Sequence, residues 1–236
     1  ANTTGTDNTA IGYNALGATT TGSNNTAVGS SALYTNTTSG DNTAVGFQSL
    51  YTLNGGVRNS ALGHNSLFNS TTCDNNVAIG TSAMENITSG SNSVAVGAFA
   101  LDASTTPDGN VAIGYAALGA NTTGANNVAV GYAALDANTT AGSNTALGYN
   151  AMTSNTTGAA NTTVGYEAGD QITTGGENVC LGADAGDAIT TGANNVILGS
   201  GADVSAADGN GANVLGRQVS GAAGYTTLGS GSDDIR

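Results

Sequence analysis

Lysine is absent from this 236-residue sequence, histidine occurs once, cysteine twice and arginine three times. Each shortage removes a class of chemistry. With His64 alone, one chain offers neither a histidine-paired nucleophile nor a multi-histidine metal site. Without lysine there is no phosphate-binding Walker loop, and Gly209-Asn210-Gly211 lacks the strand, helix and spacing of a dinucleotide-binding turn. The chain is therefore not expected to be an enzyme, and no cofactor or metal is expected. Arg58, Arg217 and Arg236 face 16 acidic residues, giving a formal net charge of -13. Such a surface repels phosphate backbones and anionic lipid, so no nucleic-acid partner is expected. No apolar run approaches membrane-spanning length, and no membrane insertion is expected.

Cys73 and Cys180 stand in different phases of the repeat described next, six coils apart. At about 4.8 Å per coil that is roughly 29 Å, beyond the reach of a disulfide within one chain. Leu, Ile, Val and Phe together number only 40, a composition that by itself leans towards disorder.

Periodicity reverses that leaning. Glycine recurs every 17 residues at Gly12, Gly29, Gly46, Gly63, Gly80, Gly97, Gly114, Gly131, Gly148, Gly165, Gly182, Gly199 and Gly216. A fixed short period without a slip in register is the mark of a solenoid, each repeat forming one coil stacked on the last. The expected fold is an all-β parallel β-solenoid, a β-roll of 17-residue coils with two short strands each, forming a rod about 62 Å long from 13 coils at about 4.8 Å.

The residue before each glycine is always apolar, from Ile11 and Val28 to Leu198 and Leu215, and two residues earlier stands Thr, Ser or Val, then Asn213 in the last coil. Spacing of two places both columns on one strand face, read as the inside of the coil. Between them runs Ala10, Ala27, Ala44, Ala61, Ala78, Ala95, Ala112, Ala129 and Ala146. On that reading the alanines occupy the outer face. A solvated face would be polar, so the alanines are expected to pack on other chains around a rotation axis, most simply in a homotrimer.

Four residues after the glycine a second apolar column runs from Leu16 to Met152, the expected second strand, with the glycine as its corner. Segments such as NTTGANN at 121–127 read as the outer loop. Threonine stands eight residues after the glycine in 10 of 12 coils, and Asn stands four before it from Asn8 to Asn195, broken only by Ser93. Stacked amides at this spacing form structural ladders. Regular repeats are expected over 1–199. In the coil of Gly165 leucine yields to Gly169, then to Gly186 in the next, and Gly229 follows Gly216 by 13 residues, so 200–236 are expected to be a degenerate cap or a transition to another domain. With the repeat already running at Asn8, the chain is expected to be a piece of a longer protein.

SNSVAVG at 91–97, DNNVAIG at 74–80 and ANNVAVG at 125–131 resemble the head repeat of YadA-like trimeric autotransporter adhesins, from about residue 8 to 216. The resemblance implies a parallel β-roll trimerised about a common axis. The outer loop is longer than in that family, and no coiled-coil stalk or membrane anchor is recognisable. NTAVG and AL repeats also look like those of phage tail fibres and bacterial fibres that end in an endosialidase-type chaperone, a domain beginning near a motif that Ser232-Asp233-Asp234-Ile235-Arg236 loosely matches.

Three side-chain columns are candidate sites. Tyr115, Tyr132, Tyr149 and Tyr166 follow successive glycines, and Tyr34, Tyr51 and Phe68 form a second aromatic row. Either could stack on receptor sugars or pack ring on ring. Asp102, Asp136, Asp170 and Asp187, with Glu167 and Asp184, align in columns that could be bridged by calcium, but the dense nonapeptide pattern of calcium-binding β-rolls is absent and they are expected to be solvated. Asn36, Asn69, Asn86, Asn121, Asn138 and Asn155 each begin an N-x-T triplet.

The expected function is a non-catalytic fibre segment, a stiff spacer and adhesive surface at a cell surface or virion tail. Its outer loops would bind a host glycan or protein receptor multivalently. The alternatives are a phage tail-fibre shaft, a self-assembling extracellular filament, and an ice-binding solenoid. Against the last, adjacent threonines such as Thr122-Thr123 point to opposite faces of a strand.

Overall fold

A computed structural model describes residues 2–106, 108–230 and 233–235; Ser232 and Arg236 of the chaperone-like motif lie outside them. The chain is an all-β parallel β-solenoid of 17-residue coils, with no helix among the described residues. It divides into two compact units, Ala1–Thr123 and Gly124–Arg236.

In the first unit β1 (Thr9–Ile11), β2 (Thr26–Val28), β3 (Thr43–Val45), β4 (Ser60–Leu62), β5 (Val77–Ile79), β6 (Val94–Val96) and β7 (Val111–Ile113) each pair in parallel with the next. Every pair is offset by one period, as in Ala78↔Ala95. The second unit continues the pattern with β8 (Val128–Val130), β9 (Thr145–Leu147), β10 (Thr162–Val164), β11 (Val179–Leu181) and β12 (Val196–Leu198). There the period then breaks. β13 (Asp203–Val204) pairs with β15 (Ser220–Gly221) in a separate small sheet, while β14 (Asn213–Arg217) extends the main ladder from β12. β16 (Thr226–Ser230) joins β14 with Gly216 opposite Gly229, and β17 (Asp233–Ile235) closes on β16 antiparallel.

Each regular coil carries one strand, where two were expected. The segment from the glycine through the leucine column is a run of turns, because two positions in it take left-handed backbone angles: Phe99 at φ 59° and Leu101 at φ 54°, Ala133 at 50° and Leu135 at 55°. A left-handed leucine costs roughly 1–2 kcal/mol. It is offset where the turn drops the side chain into the coil, and Leu101 and Leu135 are buried. The turns still bond along the axis: Leu101 N–H donates to Ala117 O at 3.1 Å, and Ala103 N–H to Gly119 O at 3.2 Å. The glycine corner admits no substituent. Gly80 has φ 137°, and a Cβ there would sit 2.5 Å from the Gly97 carbonyl oxygen.

The strands face the other way from the expectation. Ala27, Ala44, Ala61, Ala78, Ala95, Ala112, Ala129 and Ala146 are at most 2% exposed and lie inside the coil, while Ala10 is exposed in the first coil. Buried within one chain, this column cannot line an axis between chains. The reason is cross-section. The leucine or methionine of the opposite turn fills the interior, leaving the strand room for only a methyl group, so the bulkier residues on either side turn outward.

The late coils obey the same volume rule. Where alanine becomes Thr163 and then Cys180, leucine becomes Gly169 and then Gly186. A Cβ on Gly169 would come within 2.9 Å of Thr163 Cγ2 and 2.8 Å of Ile172 Cδ1, and one on Gly186 within 2.5 Å of Cys180 Sγ. Buried Ile172 and Ile189 supply the remaining volume. Gly169 at φ 60° and Gly186 at φ 71° keep the left-handed turn that leucine adopts elsewhere.

The buried asparagines four residues before the glycine form a paired ladder. In the second unit Asn144, Asn161, Asn178 and Asn195 are fully buried. Each amide oxygen accepts the backbone N–H one coil on, and each Nδ2 donates to a loop carbonyl 14 residues ahead. The first unit repeats this from Asn8 to Asn76, and Ser93 Oγ substitutes as acceptor for Asn110 N–H at 3.1 Å. The amides thus bond chiefly to backbone, which satisfies groups that would otherwise be buried unpaired.

Candidate binding surface

With alanine inside, every regular strand presents its two flanking residues to the outside. In the second unit the columns bring Val128, Val130, Leu147, Val164, Leu181, Leu198 and Leu215 into partly or fully exposed positions, Leu147 at 45% and Leu215 at 52%. Registered pairing makes neighbours of Leu147 and Val164, Val164 and Leu181, and Leu181 and Leu198. The first unit shows the same face, with Ile11, Leu62, Ile79 and Ile113 exposed. Neither face carries a charged side chain in its two flanking columns from β1 through β12. This surface was missed because the bulky columns were assigned to the core. The signal was in the sequence: the exchange of Leu for Gly in the coils where Ala becomes Thr and Cys ties those two columns to one interior volume.

Beside this face run the aromatics. Tyr132 and Tyr149 stack with ring centroids 5.2 Å apart and planes at 13°, and Tyr149 and Tyr166 at 5.4 Å and 7°. Tyr115, in the first unit, meets Phe99 edge to face at 5.8 Å and 80°. Tyr34, Tyr51 and Phe68 form a second stack at 5.3 and 5.2 Å, and Phe47 stacks on His64 at 5.4 Å. Ring-on-ring packing is therefore what the backbone spacing produces. Tyr149 has a neighbour on each ring face, so the 45% of it that is exposed is edge and hydroxyl. A sugar ring stacking on an aromatic needs the face, which leaves Tyr149 with edge and hydrogen-bond contacts to offer.

The acidic columns stay apart as metal ligands: no group of three His, Cys, Asp or Glu among the described residues is placed to hold a metal ion. Burial pushes the Asp136 and Asp170 carboxyls up from their ordinary value. No cavity opens among the described residues, and they form no helix long and apolar enough to cross a membrane. Cys73 and Cys180 are buried thiols, pushed up to about 11 and about 12 by desolvation. Of the N-x-T asparagines, Asn36, Asn121, Asn138 and Asn155 are fully buried, Asn69 is half-buried and Asn86 exposed. The threonine ladder is also committed: Thr20, Thr88, Thr139 and Thr156 donate their hydroxyls to carbonyls one coil away at 3.1 Å.

Comparison with known proteins found no matching family model, no similar curated protein and no similar solved structure.

Proposed function

We propose that this chain is a non-catalytic fibre segment, a stiff spacer of a cell-surface adhesin or virion tail fibre that associates with copies of itself, as a homotrimer, through the outward apolar face of its strands. The observation that carries this reading is the uncharged face of half-buried to exposed Val and Leu, with Thr145 and Thr162, in register along β8–β12, and the similar face of Val, Ile, Leu, Thr and Ser in β1–β7. Monomeric soluble proteins rarely leave contiguous apolar patches above about 300–600 Å² in water. The head-repeat strings at 74–80, 91–97 and 125–131 resemble those of a trimeric adhesin family and support the same stoichiometry. Adhesion belongs to the outer loops, whose many copies of one weak contact gain strength by avidity.

Association side by side is favoured over end-to-end filament growth, because β17 runs antiparallel along β16 and occupies the edge where a further coil would pair. Light scattering behind a sizing column tests the reading on this 22.7 kDa chain. Three chains per particle are expected; a monomer at high concentration overturns the interface, and growth with concentration favours the filament.

A further inference from the structure

The tyrosine row of the second unit lies on the same hydrogen-bonded ladder as the exposed strand columns. Past the end of β9 the Gly148 N–H donates to Val130 O at 2.8 Å and the Asn150 N–H to Tyr132 O at 2.9 Å. One coil on, the Gly165 N–H donates to Leu147 O and the Glu167 N–H to Tyr149 O, both at 2.9 Å. Parallel bonding therefore runs on through the glycine to the residue after the tyrosine. Tyr132, Tyr149 and Tyr166 stand two residues after Val130, Leu147 and Val164, and are 49%, 45% and 53% exposed. Spacing of two continues the outward alternation of the strand, so the residues three before, one before and one after each glycine form one strip of three columns.

Charge marks off the same strip. The chain carries a net charge of -13, and copies of it repel one another wherever their acids meet. Over residues 128–200 none of the three columns holds a charged residue. The acids of that stretch stand elsewhere in the repeat: Asp136, Asp170 and Asp187 five residues after the glycine, Glu177 five before it, and Glu167 and Asp184 two after it, at the border of the strip. A partner copy can approach here without bringing carboxylate against carboxylate.

Stacking prepares the rings for such a contact. Tyr149 is held between Tyr132 and Tyr166 at centroid distances of 5.2 and 5.4 Å, so little side-chain freedom remains to be lost when its exposed edge is covered. The row presents apolar ring edges and hydroxyls, the amphipathic surface in which interface cores are enriched. The ring faces that a sugar would stack on are already occupied in Tyr149.

We propose that the row of Tyr132, Tyr149 and Tyr166 is covered by a second copy of this chain, as a continuation of the strand-face contact on which the proposed trimer rests. The rings then belong to the interface between copies, and receptor contact is left to the outer loops.

The full chain, at a concentration where light scattering gives the assembled mass, would be nitrated with tetranitromethane, and Tyr149 compared by peptide mass spectrometry with Tyr51, which lies in the other aromatic row. A Tyr149:Tyr51 ratio several-fold lower in the assembled particle than after dilution to single chains, or than in dissociated Leu147→Glu, is expected. Independently, Tyr149→Glu should lower the mass at a given concentration, and Tyr51→Glu should leave it at the wild-type value. An unchanged ratio in a particle that does assemble overturns the placement of the tyrosines and leaves assembly through the strands standing. Protection of Tyr149 by added cellohexaose and not by assembly overturns it in favour of a glycan. A single-chain mass at every concentration removes the strand-face contact and this inference together.

Discussion

The side-chain oxygen of Asn161 accepts the backbone N–H of Asn178, one coil further on, at 2.9 Å, while Asn161 Nδ2 donates to the carbonyl of Gly175 at 2.9 Å. One buried side chain thus pairs a donor of the strand entry with an acceptor of the loop, where an all-apolar interior would leave both empty. Asn161→Ala should destabilise the second unit by about 1–3 kcal/mol for each group left unpaired. Urea unfolding with an unchanged slope and a lower midpoint is the expected result; an unchanged midpoint would mean that water replaces the amide.

Left-handed positions reverse the usual ranking of alanine over glycine. Ala160 is exposed with φ 60°, so Ala160→Gly should stabilise by about 1 kcal/mol. Ala129, inside β8, should show the opposite sign, losing about 0.5–1 kcal/mol or more on becoming glycine. Thermal unfolding of the two variants side by side measures both signs.

The trade of volume between strand and turn predicts coupling. Ala129→Thr should cost about 1–3 kcal/mol by overpacking against Leu135. Adding Leu135→Gly and Asn138→Ile reproduces the arrangement of Thr163, Gly169 and Ile172, and should recover much of that loss. A thermodynamic cycle giving simple additivity would show that these columns do not share one space.

The exposed face predicts assembly mutants that leave the coil intact. Leu147→Glu, at a 45% exposed site, should lower the solution mass without lowering helix-free β content by circular dichroism. Ala129→Leu should instead destabilise the chain itself, since its side chain lies inside. If Leu147→Glu leaves the mass unchanged, the strand face is not the interface.

Much of the architecture was legible from spacing. The 17-residue glycine anchor, the parallel register and the Asn ladder all follow from identical backbone segments bonding one period apart, and the 13-residue step between Gly216 and Gly229 appears unchanged in the pairing of β14 with β16. The aromatic rows were legible as columns, but their faces were not: Tyr149 is sandwiched by Tyr132 and Tyr166 because adjacent coils bring rings to stacking distance.

Period-two alternation divides a strand into two faces but is silent about which of them is inside. From the sequence alone, repeat length, the position of one of the two expected strands and the identity of each column were determined, because backbone hydrogen bonding requires equivalent residues one coil apart. Tertiary structure decided which face is core. Left-handed turns carry Leu118, Leu135 and Met152 into the coil, and the space that remains admits alanine and turns valine, isoleucine and leucine outward.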